Sequence, residues 1–543
     1  MPPRYTPGGY GEGMVAVAAH THDVVIVGGG HNALVAAAYL ARDGRSVAVL
    51  ERLGHVGGAA VSERPWAGVD ARLSRYSYLV SLLPRHVIDD LGLRVRLTRR
   101  RYSSYTPDPL HPDRGVLIDT ADAQATADSF ARVTGDPHEA RRFADLSDRL
   151  GAAAAATFPS MTSPLPSAPE MRARWGDDGL WEALVEQPLG GLVRASVTSD
   201  IARGMVLTDG LIGTFAAADD PSLRQNRCFL YHVIGGGTGD WDVPVGGMGR
   251  VTSELERAAR AAGAQILTAA PVTAISPDGE VHVGGDEPRV LHGRIVLSGV
   301  GPAVLADLLR AGEADAADSS APVEGAQLKV NMLLRRLPRL RDAHVAPEAA
   351  FAGTFHVNET LSQLDSAAAA AQAGHVPDPL PAEIYCHSLS DPSILGDPLR
   401  ATGAQTLTLF GLQVPHRLAA GRDPDAYRGE LLSAAERSLD AVLGESLAGC
   451  LYEDAEGNPC IEARTTADLE VSLGMVAGDI FHGALSWPWA EPGETLETPS
   501  QRWGVATAHD RILLCGSGAR RGGAVSGLGG HNAAMAVREI LGA

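Results

Sequence analysis

The sequence predicts an α/β fold in which a parallel-sheet domain is interleaved with a second domain, itself a mixed sheet under a helical cap. Three observations predict it. Near the N-terminus a β-branched run, Asp23-Val24-Val25-Ile26-Val27, enters a glycine turn and then a helical pattern. At the C-terminus Arg511-Ile512-Leu513-Leu514-Cys515-Gly516 repeats the strand-then-glycine logic. Between them, Ala-rich helical stretches give way to alternating strands, and no repeat of solenoid period occurs.

The first unit carries the most information. Residues 1–21 are Gly- and Pro-rich, and their apolar run Met14–Ala19 is too short for a signal segment, so they are expected to be a flexible tail. After the first strand, Gly28-Gly29-Gly30-His31-Asn32-Ala33 opens the helix Leu34–Leu40 in the pattern G-x-G-x-x-A. Small residues are needed there because the turn is tight, the backbone must approach a pyrophosphate and the helix must pack closely on its strand. The helix start offers unpaired N–H groups to phosphate. A second strand, Ser46–Leu50, ends in Glu51 at about the ~20-residue offset of a ribose-binding acid, with Arg52 beside it. Strand, turn, helix, strand and acid in register predict a Rossmann-like nucleotide-binding domain. Gly57-Gly58-Ala59 then adds a second glycine pair.

The remaining elements divide the chain. Residues 22–118 form the first part of the nucleotide domain, with Ser74–Leu83 as a cofactor-facing strand and turn and a short helix from Pro84 to Leu91. Residues 119–240 are a helical cap, interrupted by a Pro/Ser linker at Pro159–Pro169. Residues 241–301 return to the nucleotide domain. There a helix to Ala262 precedes the strands Gln265–Leu267 and Val272–Ile275, expected as an outer strand pair at the adenine end with Val272 against the cofactor. Residues 302–500 are the substrate domain, with strands Gln327–Leu334 and Gln405–Phe410 and an Ala-rich stretch, Asp365–Gln372. Residues 501–543 complete the nucleotide domain. There Gly516, Gly518, Gly523, Val525 and Ser526 are expected near the cofactor, before a helix Asn532–Leu541.

Composition excludes other classes. A net charge of −19 argues against nucleic acid. The five cysteines form no C-x-x-C pair, which argues against a disulfide redox centre and a zinc site, so no metal is expected. Unpaired thiols and the absence of a long apolar run point to the cytoplasm, with peripheral membrane contact and a homo-oligomer left open.

The segments GGGHNALVAAAYLARDG, ERLGHVGGAAVSE, SRYSYLVSLL, LTDGLIGTFAAADDP, VPVGGMG, GDIFHGAL and CGSGARRGGAVSGLGGHNAA occur in this order. The chain thereby resembles the phytoene desaturase-like FAD oxidoreductases of the amine oxidase superfamily. The nearest branch is the one with carotenoid ketolases and pyridine nucleotide-disulfide oxidoreductase domain-containing protein 2. The resemblance spans the chain from His22 and implies FAD, hydride transfer from a substrate carbon to flavin N5, an apolar small-molecule substrate, and O2 or a quinone as electron acceptor. Two departures, Arg520-Arg521 and Gly235-Gly236, lie on the expected substrate side, so substrate identity does not carry over.

Lys329 is the only lysine among 46 basic residues, and its strand resembles the amine-oxidase segment that holds a water at flavin N5. Arginine's planar fork cannot replace a compact ammonium in a tight site. His482, between glycines, is the candidate general base. His232, Trp487 and Arg520 are expected on the substrate side, with aromatic core as the blander reading of Trp487. An amine oxidase is the alternative enzyme. A prenyl- or lipid-binding protein of the GDP-dissociation-inhibitor fold is the non-catalytic one, disfavoured by the intact C-terminal glycines.

Overall fold

The computed structural model describes residues 20–239, 241–313 and 323–542. The expected tail lies outside these except for His20 and Thr21, which open strand β1 (His20–Val27). β1 enters helix α1 (His31–Arg42), and β2 (Val47–Leu50) returns parallel to it.

The first sheet is ordered Val272–Ile275, Glu280–Val283, Arg289–Ser298, β1, β2, Gln265–Leu267, with Ile512–Leu514 also parallel to Arg289–Ser298. At its centre Val24–Val27 of β1 and all of β2 are buried on both faces, which is why these strands read as unbroken apolar runs, whereas the outer strands Val272–Ile275 and Glu280–Val283 bury only part of their residues. One face carries α1, which is buried from His31 to Ala41 between the helix Met248–Ala261 and the C-terminal helix Leu528–Leu541. That last contact is close enough to demand glycine: a Cβ on Gly530 would lie 1.8 Å from the carbonyl oxygen of Asn32.

The second sheet is ordered Ile461–Arg464, Leu328–Leu334, Gln405–Gly411, Ala382–Tyr385, Thr354–Val357, Tyr102–Pro107, Gly115–Asp119. All neighbours are antiparallel except Thr354–Val357 on Tyr102–Pro107. Helices between Ala123 and Ile234 form the cap, whose core includes Trp175, Trp181, Trp487 and Trp489.

Three expectations are corrected. The boundary at residue 118 falls inside a hairpin of the second sheet, because Ser104 and Tyr105 pair with Thr354 and Phe355 and the Tyr105 hydroxyl reaches Asp342 at 3.1 Å. Gln265–Leu267 and Val272–Ile275 are not a pair: they lie at opposite edges of the first sheet, joined by a connection that passes over the end of β2, where Ala270 N–H donates to the Glu51 carbonyl at 2.8 Å. The C-terminal helix begins at Leu528, four residues before Asn532, since Gly527 at φ 72° makes the turn that starts it.

Candidate functional site

The turn after β1 builds a cradle. Gly28 sits at φ 92°, a conformation glycine adopts without strain. Gly29 has no room for a side chain: a Cβ would lie 2.9 Å from Val56 and 3.1 Å from Glu51. Gly30 is the reverse, since nothing lies within 4 Å of where its Cβ would be. Its neighbour Gly57 donates its N–H to Gly29 at 2.9 Å, bringing the second glycine turn against the first. Glu51 closes β2, and its carboxylate accepts from the N–H of Gly29 at 2.7 Å and of Leu53 at 2.8 Å. Asn32 donates to the Gly522 carbonyl at 3.1 Å and leaves Oδ1 buried without a partner.

One cavity of about 630 Å³ extends from this cradle to the second sheet. Its lining includes Gly28, Gly30, His31, Asn32, Ala33, Glu51, Arg52, Gly58, Ala59, Val272, Gly516, Gly523 and Val525, together with His232, Lys329 and His482. The open side of Gly30 and the uncapped start of α1 fit the dinucleotide implied by the sequence, FAD. They would face its pyrophosphate, with Glu51 at the ribose.

Five residues named from the sequence do not line the cavity. Gly57 serves the turn. Gly518 packs on Pro302, where a Cβ would come within 2.5 Å. Ser526 accepts the Leu528 N–H at 3.2 Å just before the last helix. Trp487 stacks on Trp489 at 5.2 Å in the cap core. Arg520 turns to the Trp489 carbonyl and to Glu494. Its neighbour Arg521, missed as a structural residue, is buried and donates to the carbonyls of Ser160 at 2.6 Å, Ser163 at 2.7 Å and Trp503 at 3.0 Å.

Lys329 is buried on Leu328–Leu334, and its Nζ donates to the carbonyls of Ser74, at 3.1 Å, and Tyr76. It also lies 4.3 Å from the centre of the Tyr78 ring. Burial pushes its pKa well below the ordinary lysine value. Whether charged or neutral, Nζ then keeps one position, an N–H or a lone pair, beyond the two carbonyls. His482 is held at φ 61° by Asp479, which accepts the N–H groups of Phe481 at 2.9 Å and Gly483 at 2.7 Å. Burial lowers the pKa of His482 to about 4, so at neutral pH it is an uncharged imidazole and a weak base. His31 is likewise lowered to about 4 by burial and its Nε2 pairs with the Ala524 carbonyl at 3.1 Å. His232 stacks on Trp241 at 5.0 Å.

Sequence reasoning missed an acidic group at the far end. His356 and Glu383 are direct cross-strand partners, and His356 Nδ1 meets Glu359 at 2.6 Å. Single ligand atoms of His356, Glu359 and Glu383 lie within 4.8 Å of one another. Tyr385 donates its hydroxyl to Glu383, whose pKa burial and Glu359 push up to about 8. Asp209, His356 and Glu383 face the cavity.

Fold and cradle together define a two-domain dinucleotide-binding protein, and comparison with known proteins agrees. Residues 26–86 match the NAD(P)-binding Rossmann-like domain family. Putrescine oxidase has the same fold at TM-score 0.57, 16% identity and coverage of 96% of this chain and 99% of that one. Cyclohexylamine oxidase from Brevibacterium oxydans follows at TM-score 0.54, 16% identity and coverage of 96% and 99%. An uncharacterised protein of Mycobacterium tuberculosis is 53% identical over 96% of this chain and 97% of its own length. The chain belongs to the family of pyridine nucleotide-disulfide oxidoreductase domain-containing protein 2, whose rat member is 30% identical over 96% of this chain and 94% of its own. The disulfide in that name has no counterpart here: all five cysteines are buried and free. No helix among the described residues is long and apolar enough to cross a membrane.

Proposed function

We propose that the chain is an FAD-dependent oxidoreductase that removes a hydride from a carbon of a small molecule with an apolar body. The observation that carries this reading is the cavity joining the dinucleotide cradle to the second sheet, with Lys329 of that sheet in its wall. FAD, when bound, supplies the hydride acceptor at N5 of its ring. The chain's own residues do the rest. The cradle orients the cofactor by its phosphates and ribose, and Lys329, fixed by two carbonyls, presents its remaining position to the reacting centre. Leu146, Leu150, Met205, Ile212 and Phe229 of the cap line the cavity and exclude water from the transfer.

The test is anaerobic titration of the flavin-loaded protein with a panel of polyenes, amines and hydroxylated compounds. Bleaching of the visible flavin bands by one class is the expected result. A protein that takes up no FAD, or one whose bands no class bleaches, would contradict the reading.

A further inference from the structure

Three consecutive arginines, Arg99-Arg100-Arg101, precede the strand Tyr102–Pro107, and they part ways there. Arg101 turns to Asp119 at 2.7 Å, and Arg99 faces Asp242 at 3.9 Å. Arg100, between them, is half-buried and lines the cavity. The other long basic side chains of that wall have oxygen partners: Arg52 donates to the Ser472 carbonyl at 2.9 Å, Arg464 meets Glu462 at 3.4 Å, and Lys329 is held by two carbonyls. Arg100 differs. Among the described residues it makes no ion pair, and its one hydrogen bond goes to the Thr354 hydroxyl at 3.3 Å. The Tyr385 ring, centred 5.7 Å from its Cζ, offers an aromatic face but no anion. Loss of solvent is the strongest influence on Arg100 and lowers its pKa, yet a guanidinium keeps its proton. The acids nearby are engaged elsewhere. Asp242 faces Arg99, and Asp209 acts on His232 and His356. Glu383 accepts the Tyr385 hydroxyl and, with a pKa of about 8, is mostly protonated at neutral pH. Charges withdrawn from water are ordinarily paired, so the cavity wall carries a fixed cation whose N–H donors are mostly unused among the described residues.

We propose that Arg100 binds a carboxylate carried by the substrate, which is therefore an apolar acid whose chain lies against the cap and whose acid group meets the guanidinium and the Thr354 hydroxyl. A guanidinium fork matches a carboxylate through two parallel N–H···O bonds. One negative charge balances the one unpaired cation, whereas a phosphate group would bring nearly two. Glu383, when protonated, does not repel an anion and presents an O–H to the same wall. The apolar side chains Leu146, Leu150, Met205, Ile212 and Phe229 suit the remainder of such a molecule. The inference deepens the oxidoreductase reading, because it rests on this cavity being the substrate site, but it does not depend on which nucleotide fills the cradle.

The experiment is calorimetric titration of the purified holoprotein with octanoate, with 1-octanol and octylammonium as the neutral and cationic probes of the same length, and with inorganic phosphate as an anion without an apolar body. The absorption spectrum of the same sample reports its flavin. The expected result is octanoate binding about tenfold tighter than 1-octanol or better, the scale of a hydrogen bond to a charged group, with octylammonium no tighter than 1-octanol. That preference should disappear in Arg100→Gln with 1-octanol binding unchanged, and Arg100→Lys should keep only part of it, since an ammonium retains the charge but not the fork. The wild-type ranking stands alone if either variant fails to fold. Equal affinity for octanoate and 1-octanol, a preference for octylammonium, binding of no octyl probe, phosphate binding as tight as octanoate, or an octanoate preference that survives in folded Arg100→Gln would each overturn the proposal. An octanoate preference in a protein that takes up no flavin would uphold the subsite while removing the oxidoreductase reading, and a flavin-loaded protein without the preference would do the reverse.

Discussion

Gly29 and Gly30 are adjacent, yet a side chain at each meets a different fate. At Gly29 a valine would collide with Val56 and Glu51 and undo the turn. At Gly30, whose φ of −68° any residue adopts, a valine would project into open cavity. Gly30→Val is therefore expected to keep its thermal stability without cofactor and to lose flavin binding, whereas Gly29→Val loses folded protein; melting temperature and bound-flavin absorbance separate the two. Lys329→Met strips the Ser74 and Tyr76 carbonyls of their donor, at about 1–3 kcal/mol for buried groups left unpaired. It should also abolish turnover, and Lys329→Arg should not restore it, which denaturant melts and substrate bleaching measure. Glu383 makes an opposite demand on pH. Its folded pKa of about 8 lies above the unfolded carboxyl value, so the native state holds a proton that the unfolded chain releases first. Its contribution to stability is full below pH ~4.5 and is lost as pH rises toward 8. Glu383→Gln should flatten that decline in denaturation midpoints measured between pH 5 and 8.

Among the elements, the turn at Arg521 pins the end of the chain to the cap, because one guanidinium serves three carbonyls from two separate segments. Arg521→Leu removes the guanidinium donor from the Ser163 and Trp503 carbonyls, at about 2 kcal/mol or more, while the Ser160 carbonyl keeps its bonds from Ser163. Limited proteolysis should then cut within residues 158–167 faster than in the wild type. The strand, turn and helix around Gly28–Ala33 were legible because every requirement there is local: glycine for the turn, small residues for the approach, an acid at the end of β2. The second sheet was only partly legible. Leu328–Leu334 and Gln405–Gly411 show their strand character directly, but nothing local tells Tyr102–Pro107 that its parallel partner is Thr354–Val357. The acidic cluster was hidden for the same reason, since Asp209, His356 and Glu383 come from three distant segments. The available signal was a charged residue inside an all-buried strand, Ala382-Glu383-Ile384-Tyr385, which is uncommon without a functional cause. Arg520 and Trp487 misled in the other direction. A guanidinium and an indole near the site look functional until their partners, Trp489 and Glu494, are seen.

At the scale of the whole molecule, burial sets the acid limb of stability. His31, His482 and His531 are lowered to about 4 and His387 to about 3, each chiefly by loss of solvent. Below pH ~6.5 the unfolded chain takes up protons that these imidazoles refuse in the native state, so stability falls as pH drops toward 4. With Glu383 acting on the alkaline side, stability should peak between these limits, and chemical denaturation across pH 4 to 9 should show the maximum near neutrality. The two sheets meet at one cavity, and its chemistry depends on what occupies the cradle. The most direct test is to denature the purified protein and identify the released nucleotide by chromatography. One FAD per chain from the wild type, and none from folded Gly30→Val, is the predicted result. A wild-type chain that releases no FAD even after reconstitution, or that releases a nicotinamide dinucleotide in its place, would contradict it.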